Sequence, residues 1–116
     1  MKTVVLVDDS EQILEYLIEV FKSYKTHELL VKAFLDPLTA LQFMQRHNAD
    51  LIITDFQMPD FNGIELAQGI KISISQKIPI FLHTGDSREF PSGLFDKVFR
   101  KPTHQKDFFK ALDDFL

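Results

Sequence analysis

Asp8, Asp9, Asp55, Thr84 and Lys101 lie far apart in the chain, yet each closes or follows an apolar run: LVDDS at 6–10, DLIITD at 50–55, IPIFLHT at 78–84 and KVFRKP at 97–102. Carboxylates about 4 Å apart repel by roughly 4 kcal/mol at an effective dielectric of 20, so gathering these aspartates requires a cation or raised pKa values. Oxygen-only donors select a hard ion. Mg²⁺ suits them because it takes one or two carboxylates, keeps several waters and completes its shell with a phosphoryl oxygen. Successive strand residues face opposite ways, so Asp8 and Asp9 cannot both point inward unless the chain turns there. Asp9 is expected to be the direct ligand and Asp8 a water-mediated one.

The elements that must position these residues alternate in type. Strands are expected at 3–8, 29–34, 50–55, 78–83 and 97–100, where β-branched and aliphatic residues cluster. Between them, Ile13, Leu14, Leu17, Ile18 and Phe21 repeat at helical spacing opposite Glu11, Glu15, Glu19 and Lys22, with Ser10 as N-cap. Asp36-Pro37 pairs a cap with proline at the first helical position and opens a second helix. A third helix runs from Gly63 to about Ile72. A last one, expected to be capped by Thr103, carries Phe108, Leu112 and Phe115 on one face.

Alternating β and α elements with apolar strands imply a parallel sheet covered by helices on both faces. Right-handed crossovers leave the five-stranded, doubly wound order 2-1-3-4-5 as the expected topology. That order makes strand 1 a neighbour of strand 3, strand 3 of strand 4, and strand 4 of strand 5. The ends carrying Asp8, Asp9, Asp55, Thr84 and Lys101 then meet in one crevice.

Composition bounds the remaining classes. The chain has 116 residues, 45% hydrophobic, with 12 Phe, no Cys and a net charge of −4. One globular domain, 1–116, is expected, with no disulfide or thiolate metal site and no stretch long enough to span a membrane. A cytoplasmic location is expected, since Met1-Lys2-Thr3 runs straight into a strand with no signal-peptide pattern, and the lack of a dense Lys/Arg block argues against nucleic acid as a partner. His83 precedes a residue that faces the crevice and is expected to pack inward, away from it. His27, His47 and His104 fall in turns or at helix ends and are expected to be solvated.

With these residues placed, the sequence resembles the receiver domain of two-component response regulators. The resemblance rests on the acidic pair in LVDDS, on DFQMPDFNG at 55–63, on HTG at 83–85 and on KP at 101–102, in the family's order across nearly the whole chain. It implies a phosphoacceptor at Asp55, and Mg²⁺ ligated by Asp9, Asp55 and the backbone carbonyl of Gln57 with Asp8 in the outer shell. It further implies that Thr84 and Lys101 hold phosphoryl oxygens and that the Lys101–Pro102 bond is cis. Gln57 occupies a position where the family tunes dephosphorylation. By the same resemblance, the chain is a signalling receiver that catalyses only its own phosphoryl transfer and autodephosphorylation. Its donor would be a histidine kinase or histidine phosphotransfer protein, its output a protein target, and a homodimer one option for its assembly. It would be either a single-domain regulator or part of a longer protein.

The sequence also departs from that pattern. The interval from Thr84 to Lys101 is short for a receiver, and GDSREFPSGLFD at 85–96 holds Pro91, Gly93 and two Ser, so the fourth helix is expected to be short or missing. Position 98, where the family carries a switch aromatic, is Val, and Thr103 follows Pro102 in place of Phe. Output is therefore expected through 85–96, with Phe90, Leu94 and Phe95 docking where a fourth helix would lie. One rival reading is a receiver-like interaction module that ignores phosphorylation. Another is an aspartyl-phosphate hydrolase, disfavoured because Ser10 breaks its D-x-D pair. A flavin site lacks the phosphate loop it needs after the first strand.

Overall fold

In the computed structural model, residues 1–116 form strands β1 (Lys2–Val7), β2 (Leu29–Phe34), β3 (Leu51–Thr54), β4 (Ile80–Thr84) and β5 (Lys97–Arg100). Helices α1 (Glu11–Phe21), α2 (Pro37–Arg46), α3 (Gly63–Ser73) and α4 (Gln105–Phe115) alternate with them, except between β4 and β5. The sheet is wholly parallel in the order β2-β1-β3-β4-β5, as the alternation requires.

Side-chain alternation along the central strands divides the core in two. Val4 and Leu6 of β1, Leu51 and Ile53 of β3, and Phe81 of β4 face Leu14 and Leu17 of α1 and Phe108 and Leu112 of α4. Val5, Val7, Ile52 and Ile80 face Met44 of α2 and Leu66, Ala67 and Ile70 of α3. Burial on both faces explains why β1 and β3 read as unbroken apolar runs. A hydrogen bond from the Tyr24 hydroxyl to Asp113 Oδ1 (2.8 Å) ties the chain after α1 to α4.

The helix starts are chemically defined. Ser10 Oγ accepts from the Ile13 N–H at 3.3 Å, and Asp36 Oδ1 from that of Thr39 at 2.8 Å with Pro37 following. Asn62 and Glu65 form a reciprocal capping box at α3, a pairing whose N-x-x-E spacing is visible in the sequence. The expected cap at Thr103 is corrected: α4 begins after His104 with no side-chain cap, because the Thr103 hydroxyl donates back to the Arg100 carbonyl at 2.8 Å. Strand β4 also starts two residues later than expected and reaches Thr84. The carbonyl of Pro79 still serves the sheet by accepting from Ile52 N–H at 3.0 Å.

Between β4 and β5 no helix forms. Segment 85–96 has a single turn near Gly93, whose φ of +83° is a backbone state suited to glycine. Leu94 and Phe95 pack against the α2–α3 side of the core, as expected for a segment lying in a helix's place. Val98 of β5 is 40% exposed. No helix is long and apolar enough to cross a membrane.

Candidate functional site

Hydrogen bonding continues one residue beyond the strands and sets the site. The Asp8 N–H donates to the Phe34 carbonyl (3.1 Å), the Asp55 N–H to the Val7 carbonyl (2.8 Å) and the Lys101 N–H to the Thr84 carbonyl (2.8 Å). These bonds extend the pairing of β1 with β2, of β3 with β1 and of β5 with β4 to the carboxyl ends of the strands. Asp8, Asp9 and Asp55 each offer an oxygen within 4.8 Å of the others. Both members of the acidic pair reach the cluster because β1 stops at Val7 and the chain turns before α1.

The three carboxylates differ. Asp8 is 3% exposed, and its Oδ1 accepts from the Ser10 N–H (2.9 Å) while its Oδ2 pairs with Lys101 Nζ (3.0 Å). Asp55 is half-buried, with Oδ1 accepting from the Phe56 N–H (2.7 Å) and Oδ2 at 3.5 Å from Lys101 Nζ. Asp9 is exposed and lies outside the reach of that ammonium. Burial, then the charge on Asp8, push the Asp55 carboxyl above its ordinary range, against the opposing pull of Lys101 and the Phe56 N–H. Three carboxylates against one ammonium leave an uncompensated negative charge. All-oxygen donors of this kind fit a hard divalent cation.

Beside the cluster, a cavity of about 330 Å³ is lined by Asp55, Gln57, Thr84, Gly85, Asp86 and Lys101, without an apolar residue. Thr84 is buried, and its Oγ1 accepts from the Asp86 N–H at 3.0 Å, which leaves the hydroxyl proton free to donate. Lys101–Pro102 is cis. Gly63 is required by close approach, since a Cβ there would collide with the Asp55 carbonyl, while its N–H closes the loop onto the Phe56 carbonyl at 2.7 Å.

The structure brings the residues named from the sequence together: Asp8, Asp9 and Asp55 in the cluster, and Gln57, Thr84 and Lys101 around the adjoining cavity. His83 turns away, packing edge-on against Phe108 with ring centroids 5.2 Å apart. Asp86 was not singled out by sequence. Its only signal is a position two residues beyond Thr84, in a segment without periodicity.

Over residues 4–113 the sequence matches the response regulator receiver domain family. The chain belongs to that family. Among the receiver's relatives, the autoinducer 2 sensor kinase/phosphatase LuxQ of Vibrio parahaemolyticus is 32% identical over 85 residues, which make up 69% of this chain and 10% of the kinase. The receiver thus spans about a tenth of the length of that relative. The polar-differentiation response regulator DivK of Brucella ovis is 23% identical over 121 aligned positions, covering 99% of this chain and 96% of DivK. In structure, the receiver is similar to the response regulator TrrA of Thermotoga maritima, solved in complex with Mg²⁺-BeF. The TM-score is 0.89 at 25% identity, with 100% of both chains covered.

Proposed function

We propose that this receiver accepts a phosphoryl group on Asp55 from a phosphohistidine, in a Mg²⁺-dependent reaction, and changes its partner binding as a result. The observation that carries this reading is the half-buried Asp55 carboxylate, which sits between an acidic cluster that calls for a cation and a polar cavity walled by Thr84 and Lys101. Asp9, Asp55 and the Gln57 carbonyl would hold the ion, with Asp8 contributing through water. When bound, Mg²⁺ supplies positive charge to the phosphoryl oxygens.

The chain's own groups perform the transfer. An Asp55 oxygen attacks phosphorus in line, forming an O–P bond as the N–P bond of the donor breaks and its electron pair returns to the imidazole. The Lys101 ammonium and the free proton of the Thr84 hydroxyl stabilise charge on the equatorial oxygens at fixed positions. Lys101 is already held near the reacting carboxylate by Asp8, so little reorganisation is needed. A histidine kinase or histidine phosphotransfer protein would supply the group. The similarity to part of a sensor kinase supports a donor of that class.

Acetyl phosphate with Mg²⁺ tests the reading. Intact mass should rise by one acid-labile phosphoryl group, and Asp55→Asn should abolish the gain, because an amide is a far weaker nucleophile. Asp9→Asn should weaken Mg²⁺ binding in an amide NMR titration. Full labelling of Asp55→Asn would move the acceptor elsewhere, and no labelling of the native chain would favour a partner-binding module that ignores phosphorylation.

A further inference from the structure

Gly85 and Asp86, at the start of segment 85–96, line the cavity, yet residues 85–95 make no backbone-to-backbone hydrogen bond. Its far end is pinned by Asp96, which exchanges hydrogen bonds with Ile80 through its own N–H and its Oδ2, both at 2.8 Å. The near end depends on Arg100. Its Nη1 donates to the Asp86 carbonyl (3.2 Å) and its Nη2 to the Arg88 carbonyl (3.0 Å), while the guanidinium lies 5.3 Å from the Phe90 ring centroid. Phe90 meets Phe56, the neighbour of Asp55, edge to face at 5.1 Å, and the Arg88 guanidinium covers the other ring at 4.6 Å. Arg88 also donates to Asp86 Oδ1 through both its N–H and its Nε.

We propose that Arg100 is a positioning residue of the phosphoryl site, taking over the work of the missing fourth helix by holding the Thr84–Gly85–Asp86 wall through two carbonyls. The proposal rests on the acceptor reading of Asp55. Thr84 and Arg100 are register partners in β4 and β5, so their side chains leave the same face of the sheet. From there the guanidinium fixes Asp86 at its carbonyl, and Asp86 fixes the Thr84 hydroxyl at its N–H. The chain of contacts ends on the one hydroxyl that faces the reacting phosphoryl group. Only a guanidinium can span it: its rigid fork reaches two carbonyls at once and stacks on Phe90, whereas an ammonium acts as a point donor. Arg100 itself stays off the phosphoryl oxygens, since these donors are committed to the backbone.

The test compares native chain, Arg100→Gln and Arg100→Lys in three measurements: hydrogen exchange at 85–90 without phosphodonor, the initial rate of labelling by acetyl phosphate at saturating Mg²⁺, and Mg²⁺ affinity by amide NMR. Arg100→Gln should lose protection at 85–90 and label more slowly by on the order of tenfold. Its Mg²⁺ affinity should be unchanged, because the acidic cluster is untouched. Arg100→Lys should fall between the two. A general loss of structure would weaken Mg²⁺ binding as well, which would overturn the positioning role. Unchanged exchange in Arg100→Gln, or native labelling despite faster exchange, would also overturn it. If the native chain itself fails to label, the acceptor reading and this role fall together, while the exchange data still decide whether Arg100 holds the wall.

Discussion

The two walls of the cavity are built on opposite principles. From β3 to α3 the chain passes through residues closed by backbone bonds, Gly63 N–H to Phe56 carbonyl and Phe61 N–H to Pro59 carbonyl, with the side-chain capping box of Asn62 and Glu65 added only where α3 begins. From β4 to β5 it passes through residues 85–96, held by side chains: two arginines, an edge-to-face aromatic pair and Asp96. A backbone-closed loop has one favoured shape. A strap of side chains on an open backbone has lower local stability and can be released without unfolding its neighbours. Asp55, the proposed acceptor, thus sits on the stiff wall, and the Thr84 hydroxyl, proposed to contact its phosphoryl group, sits at the root of the compliant one, a division suited to a switch.

Breaking the stiff wall should have the largest effect. Gly63→Ala places a Cβ against the Asp55 carbonyl, where backbone rather than a flexible side chain must give way. The expected cost is roughly 3–4 kcal/mol of folding stability, read by urea denaturation, because overpacking against backbone leaves no rotamer as an escape. Gly93→Ala, in the compliant wall, meets open space and should cost much less despite its positive φ. Equal losses at the two glycines would erase the contrast between the walls.

That contrast was partly legible in the sequence. The acidic pair, Asp55, Thr84 and Lys101 could be placed because each terminates an apolar strand, and strand order then brings the ends together whatever the loops do. The absence of a fourth helix was legible as well, since Pro91 and Gly93 interrupt any helical period. The strap itself was not. Arg88 and Arg100 look like ordinary surface charges, and the bonds of Arg100 to two backbone carbonyls and the contacts of Arg88 with Asp86 Oδ1 and the Phe56 ring depend on a loop shape that no periodicity encodes. Thr103 misled for a related reason: its hydroxyl suits a cap, but the turn between β5 and α4 puts the Arg100 carbonyl within its reach instead.

A second way to sharpen the contrast is acid. His83, at the root of the compliant wall, is 3% exposed and its Nδ1 has no hydrogen-bond partner. Burial, then the charge on Lys101, lower its pKa from 6.5 to about 4. A depressed folded value means that the neutral imidazole's contribution is fully present above the unfolded pKa and is lost as pH falls from about 6.5 through about 4. That loss amounts to at most about 3 kcal/mol. His83→Leu should remove it, so that denaturation at about pH 4.5 costs the variant less stability than the native chain. An identical acid dependence in both would mean that the carboxylates alone set it.

The smallest effect expected is a gain, and it tests the stiff wall from inside. Holding Asp55 beside Asp8 raises the Asp55 pKa, so its charged form is disfavoured in the folded chain. With the folded value raised, stability from this group is present below the ordinary carboxylate pKa and is lost as pH climbs through the raised one. At neutral pH the native chain therefore carries the repulsion, and Asp55→Asn relieves it while keeping the side chain's shape. The gain should be on the order of 0.5–1 kcal/mol after solvent screening, measured without Mg²⁺. It should vanish below the ordinary carboxylate range, and added Mg²⁺ should reverse it by stabilising only the chain that keeps its ligand. The variant expected to lose labelling under the proposed acceptor role would then be the more stable one without the ion. A loss of stability at neutral pH in Asp55→Asn would show that the Lys101 contact and the Phe56 N–H outweigh the repulsion, and that the acceptor wall stores no strain.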